Sequence, residues 1–187
     1  MAGLLLQALA LPKYYGLDPM LPPMGSLQET DMTARLFFED LAVGQIFRSG
    51  PHRVTAEAIK RFAEEFDPQP FHLDEATAEG TLFKGLAASG WHTTAMTMRL
   101  LVDDGLPIAG GIIASGIDEL RWLRPVRPGD LLYAETEIVE LRESSRAGQG
   151  RMRARTVTRD ADGEAVQSLL ANVIVPRRSG GMPASAG

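Results

Sequence analysis

The period of the hydrophobic and polar positions predicts an amphipathic helix in the first half of the chain. From Thr55 onwards the apolar residues recur at i, i+3, i+4 and i+7, which is the spacing of one face of a helix. These residues are Ile59, Phe62, Ala63 and Phe66. Thr55 is suited to cap the first turn, and Pro68 ends the helix because its ring cannot continue the hydrogen-bond ladder.

A second helix is predicted from Trp91 to Val102, with a different pattern. Arg99 is its one charged residue, and the other residues are apolar or small nearly all round. Such a pattern is typical of a buried helix that has other elements packed on most of its sides. Ser89 and Gly90 mark its beginning.

After this helix the period falls to two, which predicts β-strands. An entry strand is expected around residues 45–49. The later strands cover residues 116–125, 131–144, 151–160 and 164–176. Helices followed by an antiparallel meander indicate the α+β class, with a curved antiparallel sheet wrapped on the central buried helix. This arrangement is the hot-dog fold.

The chain is expected to hold one such domain, over residues 36–178. Residues 1–35 include a proline-rich stretch and predict a flexible N-terminal tail, with a docking arm as the alternative. Residues 179–187, rich in glycine and small residues, predict a flexible C-terminal tail.

Composition narrows the classes of function. The chain of 187 residues has a net charge of −5 and no basic stripe, which argues against a nucleic-acid partner. It contains no cysteine, which excludes disulfides, thiolate nucleophiles and zinc–cysteine sites and is compatible with a cytoplasmic location. The apolar start has no basic region and is too short to span a bilayer, so no membrane association is expected. The three histidines (His52, His72 and His92) have no metal-site spacing, so no metal is expected.

The segment FDPQPFHLDEATA, residues 66–78, holds an acid and an imidazole five residues apart. Pro68 and Pro70 each fix a φ angle, so we expect Asp67 and His72 to be held on a stiff loop. Such a pair can hold one water and move its protons. The alternative is structural: the acid caps the end of the helix and the imidazole makes a hydrogen bond on the loop. From the pattern alone, the structural alternative is favoured.

The start of the second helix is a candidate site for a carbonyl oxygen. The first N–H groups of a helix have no partner within it, and the helix dipole favours negative charge there. At Gly90 a ligand can approach the backbone closely, since no side chain is in the way. The alternatives are a simple cap at Ser89 and close packing at Gly90.

The segments FAEEFDPQPFHLDEATA, FKGLAASGWHTTAM and ELRWLRPVRPGD together resemble the MaoC-like dehydratase family, which includes the (R)-specific enoyl-CoA hydratases. The resemblance covers residues 38–177. The family motif D-x-N-P-x-H-x-D runs from Asp67 to Asp74, with Gln69 in place of the usual Asn and Phe66 in place of the usual Gly before it. The resemblance implies that Asp67 and His72 are the catalytic pair.

The same resemblance implies the reaction, which is reversible hydration of a trans-2-enoyl-CoA to a 3-hydroxyacyl-CoA, with R configuration. The Gly90 amide, beside Ser89, would bind the thioester oxygen. Asp67 would deprotonate the water, and His72 would position it and supply the C2 proton, or the two roles would be exchanged. No cofactor is expected beyond the coenzyme A of the substrate.

The family further implies a homodimer, with the acyl-CoA groove at the subunit boundary. Two alternatives remain. One is a hot-dog acyl-CoA thioesterase, which the absence of an acid between Trp91 and Val102 disfavours. The other is a non-catalytic acyl-CoA binding module, which the intact acid–imidazole pair disfavours.

Other residues of these segments have simpler explanations. Lys84, Arg124 and Arg127 could meet the phosphates of coenzyme A, but a solvated position is favoured for each. Trp91 and Trp122 are expected in the core.

Overall fold

The computed structural model describes residues 35–178. The tails predicted for residues 1–35 and 179–187 lie outside these residues, apart from Arg35. The helices are α1 (Ala56–Phe66), α2 (Pro70–Leu73), α3 (Glu75–Glu79) and α4 (Gly90–Leu100), and a 3-10 turn (Phe38–Asp40) precedes them. The strands are β1 (Ile46–Arg48), β2 (His52–Arg53), β3 (Ile113–Trp122), β4 (Leu131–Glu143), β5 (Gln149–Arg159) and β6 (Ala165–Pro176).

The strands form one antiparallel sheet in the order β1-β4-β5-β6-β3, and β2 pairs with β4 as well. The sheet curves around α4, so the fold is the predicted hot-dog fold of the α+β class. Its core lies between α4 and the inner face of the sheet, where Ile138, Met152 and Val175 are almost wholly buried. No helix in the described part of the chain is long and apolar enough to cross a membrane.

Along strands β4 and β5 the residues alternate between the inner and the outer face of the sheet. Along β4 the residues from Leu132 to Ile138 alternate between buried and partly exposed positions. On the outer face Glu137 lies opposite Arg155, and their charged atoms are 4.0 Å apart. Arg155 and Glu137 thus form an ion pair across the two strands. Arg153 instead binds Asp118 of β3 at 2.7 Å.

Helix α4 begins where the sequence predicts, but the expectations about its end and its packing are corrected. Its regular part ends at Leu100 and is followed by a π-helical turn, Leu101–Gly105. It is also not covered on most of its sides, because the sheet covers one face and leaves the opposite face exposed. That exposed face carries Trp91, Ala95 and Met98, and Val102 of the following turn continues it at helical spacing.

The prediction that Trp91 and Trp122 lie in the core is wrong for the single chain. Trp91 is 59% exposed and Trp122 is 46% exposed. Trp91 projects from the uncovered face of α4, and Trp122 ends β3, which has no neighbouring strand on its outer side among the described residues. The two indole rings meet edge to face, with centroids 5.2 Å apart.

Candidate active site

Asp67 is the residue at which α1 ends. Its N–H donates to the carbonyl oxygen of Ala63 at 3.0 Å, while its φ of −152° has already left the helical region. Pro68 then prevents another helical turn. The carboxylate is held by the side chain of Gln69, whose amide donates to Asp67 Oδ1 at 2.7 Å. Gln69 therefore orients the acid, although it differs from the Asn that is usual in the motif.

His72 lies on a short helix, which corrects the expectation of a loop. Pro70 occupies the first position of α2, where a missing N–H and a fixed φ are tolerated, so this proline begins a helical turn rather than preventing one. The imidazole is 4% exposed, and its Nδ1 lies 2.7 Å from the carbonyl oxygen of Ala87. Since a carbonyl can only accept, Nδ1 carries a proton in this hydrogen bond.

The acid and the imidazole face each other. His72 Nε2 lies 3.5 Å from Asp67 Oδ2. Burial acts to raise the pKa of Asp67, but hydrogen bonding by Ser89 and Gln69 and the charge of His72 outweigh it, so this pKa lies below its usual range. Asp67 is thus an anion at neutral pH, beside an imidazole whose other nitrogen is already occupied.

Ser89 and Gly90 begin α4, as the sequence predicts. Ser89 is 1% exposed, and its hydroxyl accepts a hydrogen bond from the N–H of Trp91 at 3.2 Å, which is a helix cap. Gly90 is the first helical residue, so its N–H has no acceptor within the helix. A side chain at Gly90 would force the helix start and the indole apart, because an added Cβ would lie 2.6 Å from Cδ2 and Cε2 of Trp122.

The four residues predicted from the sequence line one open cleft. Asp67, His72, Ser89 and Gly90 border a space of about 460 Å³. Its other walls are aromatic or apolar for the most part and include Phe71, Phe83, Trp91, Trp122, Pro125 and Val126. The cleft therefore offers an anionic acid, an imidazole nitrogen and the amino end of a helix to one bound molecule.

Comparisons with known proteins identify the family of the chain. Residues 40–160 match the family model of the MaoC like domain. The chain belongs to the MaoC-like dehydratase family. The MaoC-like dehydratase from Rhodospirillum rubrum has 56% sequence identity and a TM-score of 0.74, over 76% of this chain and 98% of that one.

Two further relatives have names that state an activity. The unliganded R-hydratase PhaJ1 from Pseudomonas aeruginosa has 28% identity and a TM-score of 0.61, over 82% of this chain and 97% of that one. Mesaconyl-CoA hydratase of Cereibacter sphaeroides is 42% identical over 152 residues, which are 80% of this chain and 44% of that protein. This MaoC-like chain therefore spans less than half the length of that last relative.

His92 is a second buried imidazole of this MaoC-like domain, in the first turn of α4. It is 8% exposed, stacks on Phe62 with ring centroids 4.6 Å apart, and its Nδ1 has no hydrogen-bond partner among the described residues. Burial, followed by the charges of His52, Arg61 and His72, lowers its pKa to about 4. His92 is therefore neutral at neutral pH. Within residues 35–178 no group of acids and histidines is arranged to hold a metal ion.

The three cations considered for coenzyme A phosphates have different surroundings. Arg127 donates to the carbonyl oxygens of Phe83 and Leu86 and so holds the segment before α4. Lys84 is exposed. Arg124 borders the cleft and reaches Asp160 at 3.2 Å. Arg124 is thus the one of these three that lines the cleft.

Several contacts of the site were missed by sequence reasoning. The carbonyl of Ala87, which determines the protonated nitrogen of His72, belongs to the backbone and carries no signal in the residue type. The contact between Trp122 and Gly90 joins residues of different elements. The available signal for Trp122 is a tryptophan near the end of a predicted strand, a pattern that favours the core.

Proposed function

We propose that this protein is an acyl-thioester hydro-lyase that reversibly hydrates a trans-2-enoyl-CoA to a 3-hydroxyacyl-CoA of R configuration. Membership of the MaoC-like family supports hydratase or dehydratase chemistry in general. The relatives named R-hydratase and mesaconyl-CoA hydratase support an enoyl-CoA as the substrate. The observation that carries the proposal is the 3.5 Å distance between His72 Nε2 and Asp67 Oδ2, in the cleft beside the first residue of α4.

The proton roles follow from the hydrogen bonds of the pair. Because Nδ1 of His72 donates to Ala87, its Nε2 in the neutral ring is an acceptor. A water near both groups can donate one hydrogen to Nε2 and the other to Asp67. The lowered pKa of Asp67 makes its carboxylate a weak base, better suited to orient a water than to take its proton. We therefore assign proton removal to His72 and water orientation to Asp67, which is the exchanged version of the roles expected above.

The chemical step then balances without any other reactant. The water oxygen forms a bond to C3 while its proton passes to His72, and the π electrons of the C2–C3 double bond move to C2 and the thioester oxygen. The Gly90 N–H, at the positive end of α4, stabilises this enolate. His72 returns the proton to C2. Since no electrons leave or enter, the proposed reaction needs no redox cofactor, and coenzyme A takes part as a portion of the substrate.

We place the active protein in a homodimer. The apolar face of α4 carries Trp91 and Met98, which are 59% and 42% exposed, and Val102 of the following turn continues it at 56% exposed. Edge strand β3 adds Ile113 and Ile117, which are 55% and 49% exposed. Unpaired strand edges and large apolar patches are typical of association surfaces. A two-fold pairing of subunits along β3 covers the strand edge and the apolar face of α4. It also brings the second subunit beside the cleft at Trp91.

The proposal is tested with crotonyl-CoA. Hydration predicts a loss of the enoyl absorbance without release of free thiol, and the 3-hydroxybutyryl-CoA formed should be the R isomer on chiral analysis. A thioesterase releases thiol, and a non-catalytic binding module changes neither signal. A panel of enoyl-CoA thioesters of different length and branching then identifies the preferred acyl group. No reaction with any member of the panel would refute the hydratase assignment.

A further inference from the structure

A polar row crosses the sheet beneath α4, close to the cleft. Gln167 of β6 lies opposite Thr158 of β5 on one side and opposite Trp122 of β3 on the other. Gln167 and Thr158 are both 0% exposed. A glutamine amide is rarely buried to this extent unless its hydrogen-bonding groups are satisfied, so its partners are informative.

The amide of Gln167 is satisfied at both of its ends. Its Oε1 accepts from Trp122 Nε1 at 3.1 Å and from the hydroxyl of Thr94 at 2.7 Å. Its Nε2 donates to the hydroxyl of Thr97 at 3.0 Å, and Thr97 meets Thr158 at 2.7 Å. An indole N–H can only donate, so the oxygen of the amide must face Trp122. The side-chain amide of Gln167 therefore has one orientation. Its oxygen binds the indole and Thr94, and its nitrogen binds Thr97, so it links Trp122 to α4.

The indole of Trp122 in turn sets the position of Gly90. An added Cβ at Gly90 would lie 2.6 Å from two atoms of the ring, so the ring already touches the backbone at the first residue of α4. The hydroxyl of Thr94 lies 3.0 Å from the carbonyl oxygen of Gly90, 2.7 Å from Gln167 and 3.2 Å from the indole nitrogen. The same few atoms thus connect the glutamine, the indole and the amino end of the helix.

We infer that Gln167 and Trp122 are positioning residues, which hold the Gly90 amide where the thioester oxygen gains charge. This inference rests on the proposed function and extends it to two residues outside the family motif. Neither is assigned a proton. Their effect passes through Gly90, because a hydrogen-bond donor stabilises the enolate only if it already points at the oxygen. Small misplacements of such groups have large effects on rate.

The test is the substitution Gln167→Met, which keeps an unbranched side chain of similar length and removes both hydrogen-bonding ends. With crotonyl-CoA we expect kcat to fall roughly 10-fold. This is smaller than the roughly 10²-fold fall that a displacement of 1 Å can cause. We expect KM to change less than about twofold, because the hydrogen bond from Gly90 strengthens as charge develops on the oxygen and its loss therefore acts mainly on kcat.

The matched control is Thr136→Val. Thr136 is also 0% exposed and makes a buried hydrogen bond of 2.9 Å with Thr156 across the same sheet. Its substitution removes a buried hydrogen bond without touching Trp122 or Gly90. It should lower the melting temperature and leave kcat unchanged. An equal fall of kcat in this control would mean that Gln167 contributes only general stability.

A second measurement reports the position of the Gly90 N–H directly. Crotonyl-CoA is bound to the Asp67→Asn variant, in which turnover is slow, and the infrared stretch of the thioester carbonyl is measured. A well-placed Gly90 amide shifts this band to lower frequency, and adding Gln167→Met should move it back towards its frequency in water. If Gln167→Met does not fold, Trp122→Phe, which removes the indole N–H, is expected to show the same two changes.

The outcomes separate the two proposals. An active parent whose kcat and carbonyl band are unaffected by both Gln167→Met and Trp122→Phe overturns the positioning role and leaves the hydratase assignment standing. A parent that hydrates no enoyl-CoA of the panel overturns both.

Discussion

Substitution of Gly90 by alanine tests whether the reaction depends on the exact position of the Gly90 N–H at the start of α4. The added methyl group would lie 2.6 Å from Trp122 Cδ2 and Cε2. Non-bonded carbon atoms ordinarily stay about 3.5–4.0 Å apart. The helix start and the indole must therefore separate by about 1 Å.

The expected magnitude follows from this displacement. A misplacement of about 1 Å in a group that stabilises the transition state can lower turnover roughly 10²-fold, which corresponds to about 2.7 kcal/mol. The effect on stability should be smaller. Overpacking costs about 1–3 kcal/mol, while alanine is favoured over glycine within a helix by up to about 1 kcal/mol. Activity should therefore fall much more than the free energy of unfolding.

The assay is the hydration of crotonyl-CoA, read beside thermal melting of the same preparations. The matched control is Gly80→Ala, because Gly80 has an ordinary φ of −74° and an added Cβ would lie 3.6 Å from its nearest neighbour, Thr77 O. This control should keep parental kcat. Parental kcat in Gly90→Ala would refute the reasoning, since the amide would then tolerate the displacement or play no part in the reaction.

The remaining predictions concern the acid–imidazole pair, assembly and pH. Asp67→Asn and His72→Gln should each lower kcat roughly 10²-fold with little change in melting temperature, and near-parental activity would make that residue structural. Met98→Asp and Ile117→Asp should convert the dimer into monomers in sedimentation experiments at low micromolar concentration and reduce activity; a fully active monomeric parent would contradict the assembly. The pKa of His92 is about 4 in the fold, below its ordinary value of 6.5, so the free energy of unfolding should decrease as pH falls from about 6.5 to about 4, because the unfolded chain takes up a proton there and the folded chain does not. His92→Phe should flatten that part of the denaturation profile, and an unchanged slope would assign it to other groups.

Much of the fold could be predicted from the sequence because it depends on local periodicity. The apolar face of α1 repeats at helical spacing, and its observed bounds, Ala56–Phe66, match the prediction closely. The alternation along β4 and β5 is visible in the residue types, since successive side chains of a strand point to opposite faces. The motif from Asp67 to Asp74 also identified the candidate acid and imidazole before any contact was known.

The tertiary structure alone decided how these residues meet. The carbonyl of Ala87 that orients His72, the row that joins Gln167 to Trp122, and the contact of Trp122 with Gly90 all depend on strand register and on packing between distant elements. Burial is decided in the same way, since a side chain such as Trp91 is covered only where another element lies over it. Periodicity determines which face of an element is apolar, but strand register and packing determine what that face touches.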